Sequence, residues 1–356
     1  MFYPSYGYRS DAETWSVVIQ GCVYNQRITW LRRKPVLAVI RRAMKVSRDG
    51  DVYFRQRMRQ FLVSFSSGRH VNIELGTKSI TLGPTELAGL FRGELAISDV
   101  EARSLENEAE RQSPDAGASD PNSRQRWISF RAQLPEHDPR PFSGCVQLLE
   151  PQGISIISDV DDTLKHSNVP DRRDLFHNTF VRDFVPIPGM PELYREWAER
   201  GAAFHYVSGS PWQLYEPLAE FWKEQGYPRG SFHLKRFRLR ETARKLRGMS
   251  PQRVHKQAAI EPIVAAFPHR KFVLIGDSGE QDPEIYAHFL RNHSSQIALV
   301  LIRAVRGLEV DLPRLRKTFA GVSDQLWMAY ESADELRARL QPMMNLIVGD
   351  PCQPQG

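Results

Sequence analysis

The sequence predicts an α/β protein: a parallel sheet with helices on both faces, preceded by a mainly antiparallel β-rich region. Three observations carry this. After Pro151 the runs "ISIIS", "AAFHYVS", "KFVLIGD" and "IALVLIRA" are almost continuously apolar, as strands covered on both faces are. Helical patterns separate them, among them Pro191 to Arg200, "PELYREWAER", closed by Gly201, and His255 to Ala266, "HKQAAIEPIVAA". Before Pro151 the apolar runs are short and alternating or β-rich. The expected division is therefore 1–150, β-rich, and 151–356, α/β.

Taken in order, "WSVVIQGCVY", "RQFLVSF", "RHVNIEL", "KSITL", "RGELAIS", "WISFRAQL" and "SGCVQLLE" read as strands of the first region. "RKPVLAVIRRAMKV" repeats Val36, Val39, Ile40 and Met44 at helical spacing and reads as a helix covering one face of that sheet. Ala102 to Arg126 has no aromatic and no β-branched residue, which predicts a flexible polar insertion, 102–126. In the second region three strands run straight into polar clusters: Asp159 to Thr163, Ser208 to Ser210 and Gly276 to Asp282. Ligands of open α/β sheets bind at the carboxyl ends of the strands, so the three clusters are expected to converge on one crevice.

Bulk properties only bound the function. The chain has 356 residues, 41% of them hydrophobic, enough for real cores. A net charge of +6 and a pI near 9.2 make anionic partners plausible without selecting one. Cys22, Cys145 and Cys352 show no paired spacing and read as free thiols of a reducing compartment. No signal-like N-terminus and no run approaching the ~18 apolar residues of a membrane span is present, so the expectation is a cytoplasmic protein, at most peripheral to a membrane.

The clusters hold the chemistry. Asp159 and Asp161 stand two apart, so in extended backbone they point the same way. Asp277 and Asp282 add oxygen ligands from a neighbouring strand end, and an all-oxygen set without His or Cys favours magnesium. Ser208 and Lys256 supply a hydroxyl and a positive charge for an anionic phosphoryl group. The inventory is that of phosphoryl transfer.

"DVDDT", "YVSGS", Lys256 and "IGDSGEQD" resemble, in order, the four motifs of the haloacid dehalogenase superfamily. The wording "ISDVDDTLKHSNV", "YVSGSPWQLYEPL" and "FVLIGDSGEQDPEIY" looks like the phosphatidate phosphatase family of the actin-patch-protein type, over roughly Phe142 to the end. The resemblance implies a Rossmann-like fold and a magnesium-dependent phosphatase. In it Asp159 would be the nucleophile, forming an aspartyl-phosphate, and Asp161 the general acid and base. Thr163, Ser208 and Gly209 would orient the phosphate, and Lys256 would neutralise charge. Asp277 would hold magnesium with Asp159 and the Asp161 carbonyl, with Asp282 as a further ligand or support. The second aspartate argues for phosphate ester hydrolysis over carbon–halogen cleavage. The sequence departs from the family at the polar insertion and at the basic "LKRFRLRETARKLRG", which bears on lipid specificity.

Only 46 residues separate Asp161 from Ser208 and 47 separate Ser208 from Lys256, leaving no room for a large cap domain. An open site suits a lipid head group at a bilayer, here phosphatidate, or a phosphoprotein. Other readings are a phosphomonoesterase for a sugar phosphate or phosphoprotein, and a non-catalytic membrane- or protein-binding module. Lys235 to Lys256 carries nine Lys or Arg against Glu241 alone and is the expected contact with an anionic phospholipid surface; nucleic acid is not expected. His166 reads as a local hydrogen-bonding residue. Trp212, Tyr215, Phe221 and Trp222 read as packing.

Overall fold

The alternating runs of the first half form an eight-stranded sheet that turns one face inward. The structure is a computed structural model and describes residues 1–25, 30–86, 88–112, 125–134, 138–235 and 251–348. The strands before Pro151 are β1 (Phe2–Tyr3), β2 (Ser5–Arg9), β3 (Thr14–Cys22), β4 (Tyr24–Asn25), β5 (Ser64–Phe65), β6 (Val71–Leu75), β7 (Lys78–Leu82), β8 (Leu90–Ser98), β9 (Arg126–Ala132) and β10 (Ser143–Leu149). Eight of them share the path β8-β3-β2-β10-β9-β6-β7, with β1 also on β3, while β4 and β5 pair separately. Every pairing in the large sheet is antiparallel except β2 with β10. Trp15, Val17, Ile19, Ile73, Ile128, Phe130 and Val146 fill its interior. The sheet curls until its edges meet: a Cβ on Gly93 of β8 would lie 2.6 Å from the end of the Leu82 side chain of β7, so a larger residue there would have to displace that leucine.

Three expectations for this half need correction. The insertion 102–126 is not a flexible loop throughout: Asp99–Gln112 is a helix, and Arg126 already belongs to β9. Composition misled because two small contacts suffice here. Ala102 and Leu105, three apart, are buried against the sheet, and Asp99 is tied to Trp15 Nε1 at 3.0 Å and Arg9 at 2.9 Å. Residues 113–124 lie outside the described residues. The helix expected at 33–46 exists as α1 (Trp30–Ala43), followed by an unforeseen α2 (Asp51–Arg59); Asp99–Gln112 is α3. The α1–α2 hairpin does not cover the sheet. Leu37, Phe54, Met58 and Leu62 pack instead against Phe176 and Phe180 of the second half. "RQFLVSF" is a short 3₁₀ turn, Gln60–Leu62, leading into β5.

The second half holds β11 (Ile154–Ser158), β12 (Ala203–Pro211), β13 (Ser231–Lys235), β14 (Lys271–Asp277), β15 (Ile297–Arg303) and β16 (Trp327–Tyr330). They form an all-parallel sheet in the order β13-β12-β11-β14-β15-β16. The helices are α4 (Arg172–Phe180), α5 (Met190–Glu199), α6 (Tyr215–Gln225), α7 (Pro251–Ala266), α8 (Asp282–Asn292), α9 (Leu308–Thr318) and α10 (Ala333–Val348). Successive strand residues serve opposite faces: Ile156 joins Trp197 of α5 and Trp222 of α6, whereas Ile157 joins Ile260 of α7 and Phe289 of α8. The aromatic run after Ser210 is packing as read, with Trp222 edge-on to Tyr206 at 5.0 Å. The two sheets are joined by Gln20 Nε2 to Phe232 O (2.9 Å) and Phe232 N to Pro4 O (3.1 Å), and Tyr6 enters the second core.

Between Asp161 and Ser208 the chain holds only α4 and α5, so no cap domain stands there. Most of the basic segment, 236–250, lies outside the described residues.

Candidate active site

The three polar clusters do converge at the carboxyl ends of β11, β12 and β14. Asp159 directly follows β11, and its N–H still donates to Ile275 O at 2.8 Å, which fixes the residue beside β14. Its carboxylate is buried and accepts from Lys256 Nζ of α7 at 2.6 Å and from Thr163 Oγ1 at 3.4 Å. The same ammonium meets Asp282, and Glu280 at 3.4 Å. Burial raises the Asp159 pKa well above the carboxylate range; Lys256 opposes this, while Asp282 and Glu280 add to it. Burial disfavours the charge on Lys256, yet Asp159 and Asp282 outweigh it and hold the ammonium charged.

Asp161 lives differently. Its Oδ1 accepts from Ser167 Oγ at 2.6 Å and pairs with Lys165 Nζ at 2.9 Å; its Oδ2 accepts from Ser208 Oγ at 3.0 Å and Ser210 Oγ at 2.7 Å. Burial works against its charge, but Lys165 and the hydroxyls prevail and hold the carboxyl far below its usual range. Asp162, in the left-handed region at φ 57°, closes the loop by accepting from the N–H groups of Ser167 (2.8 Å), Asn168 (2.8 Å) and Val169 (2.7 Å). A register shift in β12 after Ser208 turns Gly209 and Ser210 into the site. Ser208 is thus engaged with Asp161, and Gly209 lies half-buried against Gln252.

The end of β14 adds two more carboxylates. Asp277 Oδ1 accepts from the N–H of Gly279 at 2.6 Å and of Glu280 at 3.1 Å, whereas its buried Oδ2 has no partner. Burial, then Asp282 and Glu280, raise the Asp277 pKa well above its usual range. A Cβ on Gly276 would fall 2.3 Å from Asp282 Oδ2, so glycine is what lets Asp282 approach this closely.

Asp159, Glu280 and Asp282 each offer an oxygen within 4.8 Å of the others' oxygens. Three carboxylates around one lysine, beside an orphaned Asp277 oxygen, leave a net negative, all-oxygen cluster that fits a hard divalent cation. The Asp161 carboxylate instead takes its partners from Lys165, Ser167, Ser208 and Ser210. Sequence reasoning placed Asp159, Asp161, Thr163, Ser208, Lys256, Asp277 and Asp282 in one crevice. It missed Glu280, which lies inside the "GDSGEQD" run, and Lys165, four residues after Asp161 and stacked on Phe184 at 4.9 Å. It gave Ser210 only as the end of the Ser208 to Ser210 cluster, without a role, and missed Ser167. His166 is exposed.

Every one of the foreseen residues falls within one matched stretch. Residues 154–304 match the family model described as the catalytic domain of phosphatidate phosphatase APP1. Over 169 residues the chain is 33% identical to the phosphatidate phosphatase APP1 of Saccharomyces cerevisiae, covering 46% of this chain and 28% of that protein. It is also 33% identical over 164 residues to an uncharacterized protein of Schizosaccharomyces pombe, covering 45% of this chain and 26% of that one. The chain therefore aligns with little more than a quarter of the length of these curated relatives. Among the described residues no helix is long and apolar enough to cross a membrane.

Proposed function

We propose that this chain is a magnesium-dependent phosphatase of the haloacid dehalogenase type that hydrolyses phosphatidate to diacylglycerol and phosphate. The observation that carries the reading is the pairing of two buried aspartates with different partners: Asp159 on Lys256 and Asp161 on Lys165 and two serines of the β12 loop. The match of residues 154–304 to a phosphatidate phosphatase catalytic domain supports it.

An Asp159 carboxylate oxygen attacks phosphorus and the P–O bond to the glycerol oxygen breaks; that oxygen takes its proton from Asp161, which is ionised in the free site and first receives this proton from the bound monoanionic phosphate ester. Water then attacks the aspartyl-phosphate with Asp161 as base, returning the Asp159 carboxylate and releasing phosphate. Lys256 and Thr163 hold the nucleophile and offset charge on the phosphoryl oxygens; Ser208 and the backbone of Gly209 turn toward phosphate once Asp161 is protonated. Asp159, Glu280 and Asp282, with Asp277 beside them, are the residues that would hold magnesium. When bound, the ion supplies charge stabilisation to the phosphoryl group.

The test is phosphate release from phosphatidate in mixed micelles, from phosphoserine peptides and from sugar phosphates, with magnesium or EDTA. The reading predicts magnesium-dependent release that is fastest from phosphatidate. Equal or faster release from the soluble esters would replace it with a general phosphomonoesterase, and release unaffected by EDTA would remove the metal.

A further inference from the structure

The gaps between motifs exclude a cap built into the second half, yet the first half sends the α1–α2 hairpin to that position. Its feet, Tyr24 and Phe65, pack on Trp212, two residues beyond Ser210. Its second helix reaches α4, which begins directly after the loop closed by Asp162. Arg57 fastens it there: the buried guanidinium donates to Thr179 O at 2.9 Å and Arg182 O at 2.7 Å and stacks 3.7 Å over Phe184. Gln60 of the hairpin donates to Glu216 of α6. The hairpin therefore bridges the far end of α4, which follows the Asp161 loop in the chain, and the Trp212–Glu216 stretch, which follows Ser208.

Its outer surface is unlike that of an ordinary solvated helix. Leu37 and Phe54 face inward, while Val39 and Val52 are 69% and 68% exposed, and Val185, beside the Arg57 anchor, is 53% exposed. Arg42, Lys45 and Arg48 are exposed among these valines, and none of the three has an ion-pair partner among the described residues. From Trp30 to Arg59 the sequence has ten Lys or Arg against two Asp, and Asp51 is already paired with Arg41 at 3.2 Å and Arg55 at 2.8 Å. Exposed apolar side chains interspersed with unpaired cations match the layered chemistry of an anionic bilayer surface: phosphates outside, acyl carbons just beneath. Scattered valines alone would need no explanation. The combination on one bridging element does.

We infer that the α1–α2 hairpin is a docking element for an anionic membrane surface, set so that docking brings the bilayer to the open strand ends. Only the consequence for catalysis rests on the phosphatidate reading; the binding itself does not. The full chain should co-sediment with vesicles of phosphatidylcholine plus phosphatidylserine and not with phosphatidylcholine alone, and salt should weaken the binding. At about fivefold per cation near such a surface, Arg42→Ala, Lys45→Ala and Arg48→Ala together should weaken binding on the order of 100-fold. Val39→Ser with Val52→Ser should lower it by a smaller factor. Thermal melting checks that the variants fold, independent of activity. Binding by the triple variant equal to the parent's, or loss only on changing Arg236, Arg238 and Arg240, would overturn the inference. Vesicle binding as predicted without phosphatidate hydrolysis would keep the docking surface and discard the substrate.

Discussion

Asp159 and Asp161 are two residues apart, both buried, and electrostatically opposite. Asp159 shares one lysine with Glu280 and Asp282 and lies near Asp277, so negative charge exceeds positive. Asp161 has Lys165 and three hydroxyl donors to itself. The first cluster is short of a cation and the second is satisfied. Carboxylates whose environments push their pKa values apart are how one site assigns different roles to like groups. Here the difference assigns cation binding to the Asp159 side, where positive charge is short, and leaves Asp161 an ionised, hydrogen-bonded carboxylate that takes up a proton only from bound substrate or from the attacking water.

The largest effect follows from removing the shared cation. Lys256→Met leaves the buried Asp159 and Asp282 and the half-buried Glu280 without their shared cation and should cost about 3–5 kcal/mol of stability, read by urea unfolding in EDTA. Magnesium should restore more stability to this variant than it adds to the parent, because the ion would take over the lysine's compensation. Lys165→Met, by contrast, leaves Asp161 its hydroxyls and the Asp159 cluster intact, so magnesium should add no more stability to it than to the parent. Equal responses to magnesium in both variants would erase the distinction between the two clusters.

A third buried set, away from both aspartates, sharpens the comparison. Ser231 Oγ bridges His205 Nδ1 at 2.7 Å and His233 Nε2 at 2.8 Å, and among the described residues no carboxylate pairs with either ring. Burial, with neighbouring positive groups, holds His233 down to about 3 and His205 well below its usual value. Unfolded histidine titrates near ~6.5, so below that pH the unfolded chain binds protons that the folded one refuses. Stability should be complete above that value and fall as pH drops toward the folded values, by ~1.4 kcal/mol per pH unit per histidine. Urea midpoints should show this between neutral and mildly acidic pH, and His233→Gln should lessen the slope; a flat profile would contradict the assignment.

The smallest effect has an unusual sign. Asp277→Asn keeps an oxygen for the Gly279 and Glu280 N–H groups while removing a charge from the crowded side, so in EDTA it should stabilise by about 1 kcal/mol. Asp161→Asn should destabilise, since Lys165 loses its carboxylate. The Asp277 variant should also need more magnesium for turnover. A destabilised Asp277→Asn would show that the Asp159 side is not short of positive charge.

The motif residues were legible because each stands at the end of an apolar run, and strand ends of a parallel sheet converge by topology. Glu280 and Lys165 lie within the same short motifs, but their roles depend on which side chains are buried together, and spacing does not report that. Helical periodicity in α1 showed that one face is covered, not that the cover is α4 rather than the nearest sheet. In α3, Ala102 and Leu105 were too small to register as a core face, although the Trp15–Asp99 hydrogen bond anchors the helix start. Tertiary partners decided each of these cases.

The most direct test of the division between the aspartates is rapid-mixing turnover of p-nitrophenyl phosphate, whose leaving group needs no proton. Asp161→Asn should release a single equivalent of p-nitrophenolate per site in a burst and then stall on the phosphorylated Asp159, because the base for water is gone. Asp159→Asn should give no burst and, with the fold intact, a loss of turnover on the order of 10³-fold or more. A burst from Asp159→Asn, or steady parent-like turnover from Asp161→Asn, would contradict the account.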